Sequence, residues 1–571
     1  MTLLTTDAST RPSAGWQAQA STRRDAALRD RYLASALACV PRLLGAVDRN
    51  PYRPTYGCFD REFWHYRTSG FASQMYQEAV LPLALVYAHP LPANRWHGQA
   101  RLAELALAGL EFCARSSHRD GSCDDYYPFE RALGAAVFSL QAAARACQLL
   151  RLESPRVRDW LVKRARWVAR QDESGRLANH QALAALGLTR VAQLTGDERF
   201  VQAARARLER VLSWQSDEGW FEEYGGADPG YQTVTIDCLA KIRRLTGEKS
   251  LDEPLRRAVA FARLFLHPDG SCGGPYGSRG TMHFYPHGFE LLASDNAEAA
   301  DMADGFLRAL AAGTQAWFED DRMYAHRLAN LLEAYLDWSP KRPAPAAQPA
   351  LAGNEATVYL PKAGLLVRRH DGGHTVVSAA RGGAFKHFAA GRPCVTDAGL
   401  ILETTDGRLA VSQCHGHGRR VDWNGRLTVS GPLNWVRFET ASPLKLALFH
   451  AGMWLVGRWC RTLVRRLLQR RLITGRRACP VRLTRTVQFE PGDFERPAPG
   501  LVQDLVRVSD RIEIIDPALH VRRMHFSTDM EAAYVAASGV YQQSVLEPWT
   551  DLSEYVEELN RCRQVTIMRE L

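Results

Sequence analysis

Polar and aromatic residues that could bind or convert a ligand follow four acidic-glycine turns in the first half of the chain. The turns begin at Asp120, Asp172, Asp217 and Asp269, and each ends an apolar stretch with helical periodicity. Their spacing of about fifty residues leaves room for two antiparallel helices and their loops. Such a repeat returns polar and aromatic side chains to one rim. It therefore predicts a site built from several loops, which is typical of an enzyme.

Three residues beside the second and third turns are the strongest candidates for catalysis. Asn179 and His180 are adjacent, and Tyr231 follows about fifty residues later. Each also has an ordinary structural explanation. Asn179 could cap the helix that follows it, His180 could be a packed core histidine, and Tyr231 could anchor a loop. Because the three residues occur in the same phase of the repeat, together they favour a catalytic set.

These motifs resemble the heparinase II/III and alginate-lyase group of uronate polysaccharide lyases. The matching residues are the pair Asn179-His180, the acidic-Gly-Trp turn at 218–220 and Gly230-Tyr231. The segment 383–388, GAFKHF, resembles the strand that carries a histidine in the family's second domain, here His387. Its distance to Asp397 is longer than the family's His-x-His-x-Asp spacing. The resemblance covers about residues 50–540 and implies an incomplete (α/α) toroid followed by an antiparallel β-sandwich.

The resemblance implies removal of the C5 proton of a uronic acid residue in an acidic polysaccharide, with β-elimination. That step adds charge to an existing carboxylate, which the site must hydrogen-bond or neutralise. Asn179 would donate its amide, and His180 or Arg279 would supply positive charge. Tyr231 would be the base or the acid. A phenol with a pKa near ~10 suits protonation of the leaving oxygen, unless positive charge lowers that pKa. His387 or His180 would take the complementary role.

Other side chains near the turns are candidates for sugar subsites, because aromatic rings in loops can stack on sugar faces. They are Trp64, His65, Tyr127, Glu222, Tyr224, Tyr276 and Arg279. Core packing or turn formation explains several of them equally well.

Three other functions remain open at this point. A uronyl C5-epimerase of polysaccharide biosynthesis shares the proton abstraction and resembles the same fold. A non-catalytic glycan-binding protein would need the aromatic residues but not the set of Asn179, His180 and Tyr231. An inverting (α/α)-toroid glycoside hydrolase would place two carboxylates around a water molecule. Its candidates are Asp124 or Asp125 with Glu222, Glu223 or Asp237.

No metal or other cofactor is expected. His283 and His287 are four residues apart, but Pro286 argues against one helix presenting both. His415 and His417 alternate along a probable strand. Neither pair has a third ligand at standard zinc spacing. A structural ion is the alternative that the family resemblance leaves open.

Composition and periodicity predict an α+β multidomain protein. Residues 1–30 are expected to be a disordered polar lead without a secretory signal, and 31–338 have the helical pattern of the catalytic toroid. Residues 339–352 are a Pro/Ala-rich linker, and 353–571 carry the short strands of the sandwich. The 12 cysteines include no CxxC pair, which favours a reducing, cytoplasmic location. The net charge of +10 fits an acidic ligand, while nucleic-acid-binding motifs are absent from the sequence.

One basic segment interrupts the strand pattern. Residues 444–477 read LKLALFHAGMWLVGRWCRTLVRRLLQRRLITGRR, and no Asp or Glu occurs from 440 to 489. The apolar half is too short to span a bilayer, but apolar residues beside arginines are typical of a helix in the interface of an anionic membrane. Packing on the protein itself and guidance of a polyanionic substrate are the alternatives. Membrane contact would place the protein at the inner membrane face, acting on an acidic polysaccharide or a lipid-linked glycan.

Overall fold

The computed structural model describes residues 26–173, 175–315, 322–344, 356–370, 373–413, 419–437, 441–470, 477–490, 505–528 and 546–571. Helices occupy the first part of the described chain and antiparallel strands the second, which confirms the predicted α+β class. Most of the predicted polar lead (1–25) and of the predicted linker (345–352) lies outside the described residues. Helix α13 ends at Asp337 and strand β1 begins at Ala356.

The helices of the first part alternate between two layers. In chain order they are α1 (Ala26–Ala46), α2 (Arg61–Trp64), α3 (Val80–Ala88), α4 (Ala100–Ser116), α5 (Leu133–Leu150), α6 (Pro155–Arg170), α7 (Ala178–Thr195), α8 (Glu198–Ser213), α9 (Pro229–Thr246), α10 (Asp252–Arg263), α11 (His287–Leu292), α12 (Ala297–Ala312) and α13 (Tyr324–Asp337). Helices α3, α5, α7, α9, α11 and α13 contact one another in sequence, and α13 returns to α3. The inner layer is therefore a closed ring, whereas the prediction was an incomplete toroid.

The burial pattern explains which helices form the ring. Helices α5, α7 and α9 bury residues on every side, whereas α6, α8 and α10 bury a single face. A helix that is apolar all round belongs inside a protein, and an amphipathic helix belongs at its surface. Helix α5 has the length and hydropathy of a membrane span, but 72% of it is buried within the protein. Its composition is thus explained by its place in the inner ring.

The repeated turns have a structural cause at their glycines. Gly121, Gly219 and Gly270 all have positive φ, which favours glycine. A Cβ at Gly121 would lie 2.5 Å from the backbone of Arg164 in α6, and one at Gly219 would lie 2.3 Å from the carbonyl of Arg257 in α10. Each turn therefore packs closely against the next outer helix, which holds the loops that follow at one end of the ring.

The second part contains two antiparallel sheets. Their strands are β1 (Ala356–Leu360), β2 (Leu365–His370), β3 (Gly373–Ser378), β4 (Ala384–Ala389), β5 (Val395–Asp397), β6 (Gly399–Thr404), β7 (Leu409–Val411), β8 (Arg420–Trp423), β9 (Arg426–Val436), β10 (Ala478–Glu490), β11 (Leu505–Ile514), β12 (Val521–Ser527), β13 (Thr550–Asp551) and β14 (Gln564–Glu570). The first sheet has the order β1-β2-β3-β4-β5. The second has the order β13-β12-β6-β7-β9-β10-β11-β14, and β8 pairs with β9. Three further helices lie among these strands: α14 (Pro443–Gly452), α15 (Arg458–Gln469) and α16 (Val556–Cys562).

The first sheet lies between the second sheet and the helical ring. On one face, Leu366, Val377 and Phe385 join a hydrophobic cluster with residues of β9, β10 and β11. On the other face, Leu365 and Val376 belong to the same core as the ring helices. The β part also contacts the third turn, where the Lys362 amide donates to Glu218, and the loop after the fourth turn, where Arg381 donates to the carbonyl oxygens of Gly277 and Ser278. The sequence places candidate site residues next to both.

Candidate active site

Short backbone bridges join the loops at this end of the ring. Leu177 pairs with Glu223, and Glu222 pairs with Ala227, in isolated antiparallel bridges. The amide of Ala178 donates to the carbonyl oxygen of Glu222 over 3.1 Å. These contacts hold the start of α7 beside the loop that precedes α9, so the polar residues of both segments meet.

Asn179 and Glu223 form a buried hydrogen-bonded pair at this junction. Glu223 Oε1 accepts a hydrogen bond of 2.9 Å from the Asn179 backbone amide and one of 2.7 Å from Asn179 Nδ2. Among the described residues, Asn179 Oδ1 and Glu223 Oε2 have no hydrogen-bond partner although both atoms are buried. Each atom can therefore bind a further group, and an unpaired buried polar atom is costly otherwise.

The environment of Glu223 changes its proton affinity. Burial raises the pKa of Glu223 to about 7, against the opposing effects of the Asn179 hydrogen bonds and the charge of Arg279. Near neutral pH this carboxyl group therefore exists in both protonation states. In its protonated state it can donate a hydrogen bond to an anion.

The capping explanation of Asn179 does not apply. Leu177 is the N-cap of α7 and makes no side-chain cap hydrogen bond, while Asn179 lies inside the first turn. Its side chain turns to the neighbouring loop instead. The amide thus connects two repeats of the ring rather than ending one helix.

His180 is held by Glu173, the second acidic residue of the second turn. The His180 Nδ1 atom lies 2.7 Å from Glu173 Oε2. The His180 side chain is 20% exposed and that of Glu173 is 9% exposed. Burial pushes the pKa of Glu173 up, but the charge and hydrogen bond of His180 hold it below its usual value. A carboxylate that fixes one ring nitrogen orients the other nitrogen for proton exchange.

One buried carboxylate positions both Tyr231 and Arg279. Asp228 is the N-cap of α9, and its Oδ1 accepts a hydrogen bond of 2.9 Å from the Tyr231 amide. Its Oδ2 accepts one of 2.9 Å from the Arg279 amide. The Arg279 guanidinium lies 5.1 Å from the Tyr231 ring centre and 4.4 Å from that of Tyr224. The loop after the fourth turn therefore brings a cation to the predicted catalytic tyrosine.

The surroundings of Tyr231 favour its protonated form. Burial raises the pKa of Tyr231 to about 12, although Arg279 opposes the rise. The ring of His283 lies 4.9 Å from that of Tyr231, edge to face. Burial and the charge of Arg279 lower the pKa of His283 to about 3, so this histidine is neutral. Tyr231 can therefore donate a proton more readily than it can remove one.

The basic segment lies across the same end of the ring. We call residues 443–470, which comprise α14, a π-helical turn (Met453–Gly457) and α15, the arm. Arg465 of the arm lies 3.9 Å from Glu130 and 4.0 Å from Glu173. The ring of Phe449 meets that of Tyr127 edge to face at 5.3 Å. The arm therefore brings a cation next to the carboxylate that holds His180.

His387 is not brought to this group. Its Nδ1 atom lies 2.8 Å from Thr375 Oγ1 within the first sheet. The neighbouring side chains of β4 face the ring, since Phe388 lies 4.8 Å from His267 between ring centres. A Cβ at Gly274 would lie 3.0 Å from Lys386 Cδ. Successive side chains of a strand point to opposite faces, so His387 faces away from the ring. The expected contribution of His387 to an interdomain site is thus not seen.

Asp397, which the sequence links to His387, belongs to a different cluster. It binds Arg485 at 3.0 Å and Arg569 at 2.7 Å inside the β part. Asp510 completes this buried group at 2.6 Å from Arg485. The cluster pairs charges between β5 of the first sheet and β10, β11 and β14 of the second sheet.

The predicted subsite residues divide into two groups. Tyr224 and Arg279 lie at the site, and Tyr127 lies under the arm. Glu222 pairs with Arg176 at 2.8 Å at the edge of the loop. The others are elsewhere: Tyr276 is buried and bonds His267 at 2.8 Å, Trp64 donates to the carbonyl of Ala46 at 2.8 Å, and His65 is an exposed neighbour of Trp64.

The candidate carboxylates of a hydrolase are mostly engaged by other groups. Asp124 lies 2.9 Å from His118, Asp125 pairs with Arg322, and Asp237 lies 2.7 Å from Lys241. Two of the candidates, Glu223 and Asp237, have a buried oxygen without a hydrogen-bond partner among the described residues. Asp237 is enclosed between α9 and α13 by the ion pairs of Lys241.

Neither of the two histidine pairs considered as metal ligands forms a metal site within the described residues. His283 packs on Tyr231, whereas His287 lies 2.9 Å from Asp337. His415 and His417 lie outside the described residues. Within the described ranges, no three His, Cys, Asp or Glu side chains form a group that could hold a metal ion.

The sequence pattern gives Glu173 no role at the site, although this residue belongs to a turn that the repeat identifies and lies close to Asn179-His180. Arg465 is one of several arginines for which the sequence offers guidance of a polyanionic substrate as an alternative, and only the fold places it over the ring. For Glu223 the sequence offers a subsite residue, a turn residue or a hydrolase carboxylate, and its bond to Asn179 depends on the bridge between two loops.

Comparison with known proteins identifies the fold. No protein-family model and no curated protein sequence matches the chain. Among solved structures, the chondroitin AC lyase of Streptomyces coelicolor A3, in complex with chondroitin sulphate, matches with a TM-score of 0.50 and 13% sequence identity. The match covers 88% of this chain and 71% of the lyase. The chain shares its fold with a polysaccharide lyase.

Two further solved structures match the chain with TM-scores below 0.5. A mutant of the same lyase matches with a TM-score of 0.46, 12% identity and the same coverage of 88% and 71%. A GH127 β-L-arabinofuranosidase from Geobacillus stearothermophilus T6 matches with a TM-score of 0.37 and 11% identity over 96% of both chains. Identities this low leave the reaction to be argued from the site itself.

Proposed function

We propose that the protein is a polysaccharide lyase that abstracts the C5 proton of a uronic acid residue and eliminates the 4-linked sugar. The observation that carries this proposal is the meeting of Asn179, Glu223, Tyr231 and Arg279 at the loop end of the ring, with His180 and Glu173 beside them. These are the groups that such a reaction needs, and they lie on a fold shared with a chondroitin AC lyase.

The substrate carboxylate would be neutralised by Asn179, Glu223 and Arg279. Proton removal at C5 turns the uronate into a dianion, so hydrogen bonds and positive charge at its carboxylate stabilise the transition state. Arg279 carries that charge without a proton to lose. Glu223, with a pKa raised to about 7, can donate a hydrogen bond when protonated. Asn179 holds Glu223 in place and could turn its amide to the substrate.

The proton transfers would be divided between His180 and Tyr231. His180, oriented by Glu173, takes the proton from C5, and the electron pair of that bond forms the C4–C5 double bond. The C4–O bond then breaks, and Tyr231 gives its phenolic proton to the leaving oxygen. A tyrosine with a pKa of about 12 is protonated at the start of this step, as an acid must be.

A uronyl C5-epimerase is the second candidate. The specific observation in its favour is that the two proton-transfer groups belong to different helices, α7 and α9. One could remove the C5 proton and the other could return a proton to the opposite face without breaking the C4–O bond. Both reactions use the same neutralised carboxylate.

A product assay separates these reactions. The protein is incubated with chondroitin sulphate, heparan sulphate, hyaluronan and alginate, and ultraviolet absorbance of the unsaturated uronate is followed together with reducing ends. We expect both signals to rise in parallel on at least one substrate. Reducing ends without absorbance would mean hydrolysis and would refute the proposal. Absence of both signals on all four, with no change of C5 configuration, would also count against it.

A further inference from the structure

The arm carries the largest concentration of exposed apolar side chains among the described residues. Its members, with their exposed fractions, are Leu444 (69%), Leu446 (45%), Leu448 (64%), Trp454 (59%), Leu455 (59%), Val456 (60%), Trp459 (76%), Leu463 (58%) and Leu467 (57%). Exposed apolar side chains concentrated in one segment mark a binding surface in a protein that is otherwise well packed.

The arm has a distinct inner side that fixes it to the ring. Met453 is 2% exposed and Gly457 is buried. Arg461 donates to Gln171 Oε1 over 3.5 Å, and Arg465 lies beside Glu130 and Glu173. The arm is therefore a docked element with one face committed to the ring.

The helical geometry of α15 separates the two sides. Arg461 and Arg465 are four residues apart on the inner side, and Leu463 and Leu467 are four apart on the outer side. Residues two positions apart differ by about 200° around a helix, so the leucines face away from the ring. Their exposed fractions agree with this geometry.

Arginines accompany the apolar residues on the outer side. Arg458, Arg466 and Arg470 are exposed, and the Arg458 guanidinium lies 5.0 Å from the ring of Trp459. No Asp or Glu occurs between residues 440 and 489 to neutralise them. Leucine and tryptophan beside exposed cationic side chains are the composition of a surface that enters the interface of an anionic bilayer.

We infer that the outer side of the arm docks on an anionic lipid surface. A second copy of the chain is disfavoured as the occupant, because a two-fold interface would bring two identical basic faces together. A soluble polyanion would need the arginines but would leave the leucines in water. A lipid surface satisfies both: headgroup phosphates pair with the arginines, and the acyl boundary receives the leucines and tryptophans.

This docking would also orient the site, because the inner side of the same arm touches Glu173 through Arg465. The loop end of the ring would then lie close to the membrane. The inference does not depend on the reaction that the site performs, since it rests on the surface alone.

The test is co-sedimentation of the full-length protein with vesicles. Vesicles of phosphatidylcholine alone are compared with vesicles of equal parts phosphatidylcholine and phosphatidylglycerol. We expect binding to the anionic vesicles that weakens with salt. We expect at least about tenfold weaker binding in the double variant Leu463→Ser/Leu467→Ser. We expect the same, in a separate experiment, for the triple variant Arg458→Gln/Arg466→Gln/Arg470→Gln.

The matched control is Ile515→Ser/Met568→Ser, two residues of the β part that are 53% and 56% exposed. It should bind vesicles as the unaltered protein does. Failure of the unaltered protein to bind anionic vesicles would overturn the inference, as would equal binding by the arm variants. Sedimentation velocity on the same samples identifies the alternative: a dimer that the leucine variant dissociates, without vesicle binding, would assign the surface to a second copy.

Discussion

Tyr231 and Glu223 are the residues whose burial most affects their chemistry. Burial raises the pKa of Tyr231 to about 12 and that of Glu223 to about 7. Both groups therefore hold protons that their exposed counterparts would lose at lower pH. In the proposed reaction each proton has a use: one goes to the leaving oxygen, and the other stabilises the uronate carboxylate.

The role of Tyr231 predicts a specific loss in a phenylalanine variant. Tyr231→Phe should lower kcat by about 10²- to 10⁴-fold, the usual contribution of a general acid, while the ring still packs. Tyr285→Phe is the matched control, because the buried Tyr285 hydroxyl has no hydrogen-bond partner among the described residues. Steady-state kinetics of both variants, with thermal melts to verify folding, would reject the role if the two rates were equal.

The raised pKa of Glu223 predicts a pH-dependent stability. The folded state keeps a proton that the unfolded state loses above pH 4.5, so stability from this group is complete below about pH 4.5 and lost as pH rises through about 7. Glu223→Gln should therefore be more stable than the unaltered protein at pH 8, by up to roughly 3 kcal/mol. The difference should vanish at pH 4.5. Urea unfolding at several pH values measures it, and a difference independent of pH would exclude this explanation.

At the level of elements, the site depends on how helices begin. Helix α9 starts at a carboxylate, Asp228, that also binds the backbone of Arg279 and the side chain of Thr281. Helix α7 has a leucine, Leu177, as its N-cap, and the side chain of Asn179 in its first turn donates to Glu223 in the neighbouring loop. The sequence predicted polar residues at these starts from the turn spacing. It could not predict which helix end would bind which loop, because the bridges form only when the ring closes.

Loss of the α9 cap should disturb both stability and activity. Asp228→Ala should destabilise the protein by at least about 1 kcal/mol and lower kcat, because Tyr231 and Arg279 lose their common anchor. Asn296→Ala removes a comparable cap from α12, where Asn296 accepts from the Ala299 amide at 2.9 Å. That control should lose stability but keep kcat once folded. Equal effects on kcat in both variants would argue against a positioning role for Asp228.

The arm should influence substrate binding through its inner cation. Arg465→Gln should raise KM for an acidic polysaccharide about tenfold, since an ionic hydrogen bond contributes about 1.5–3 kcal/mol. Arg466→Gln, on the exposed side, should leave KM unchanged in an assay without lipid. Kinetics at increasing salt concentration would show the difference between the two variants shrinking. An unchanged KM for Arg465→Gln would remove Arg465 from the site.

At the scale of the whole molecule, the order of helices and strands was predictable from the sequence. Which side chains of the first sheet point to the ring was not. Apolar spacing distinguishes ring helices from strands because the two periods differ. A strand, however, reverses the direction of every side chain when its register shifts by one residue. Lys386, not His387, thus faces the ring, and the sequence pattern around His387 could not distinguish the two. The position of the arm likewise depends on contacts between segments 290 residues apart.

The most direct test of the account is nuclear magnetic resonance of the reaction product formed in heavy water. We expect the substrate C5 proton to be lost, with a C4–C5 double bond in the product of the lyase or deuterium at an inverted C5 in the product of an epimerase. Either signal should form about 10²- to 10⁴-fold more slowly in Tyr231→Phe. A product with new reducing ends and its original C5 proton in the original configuration would contradict proton abstraction at this site.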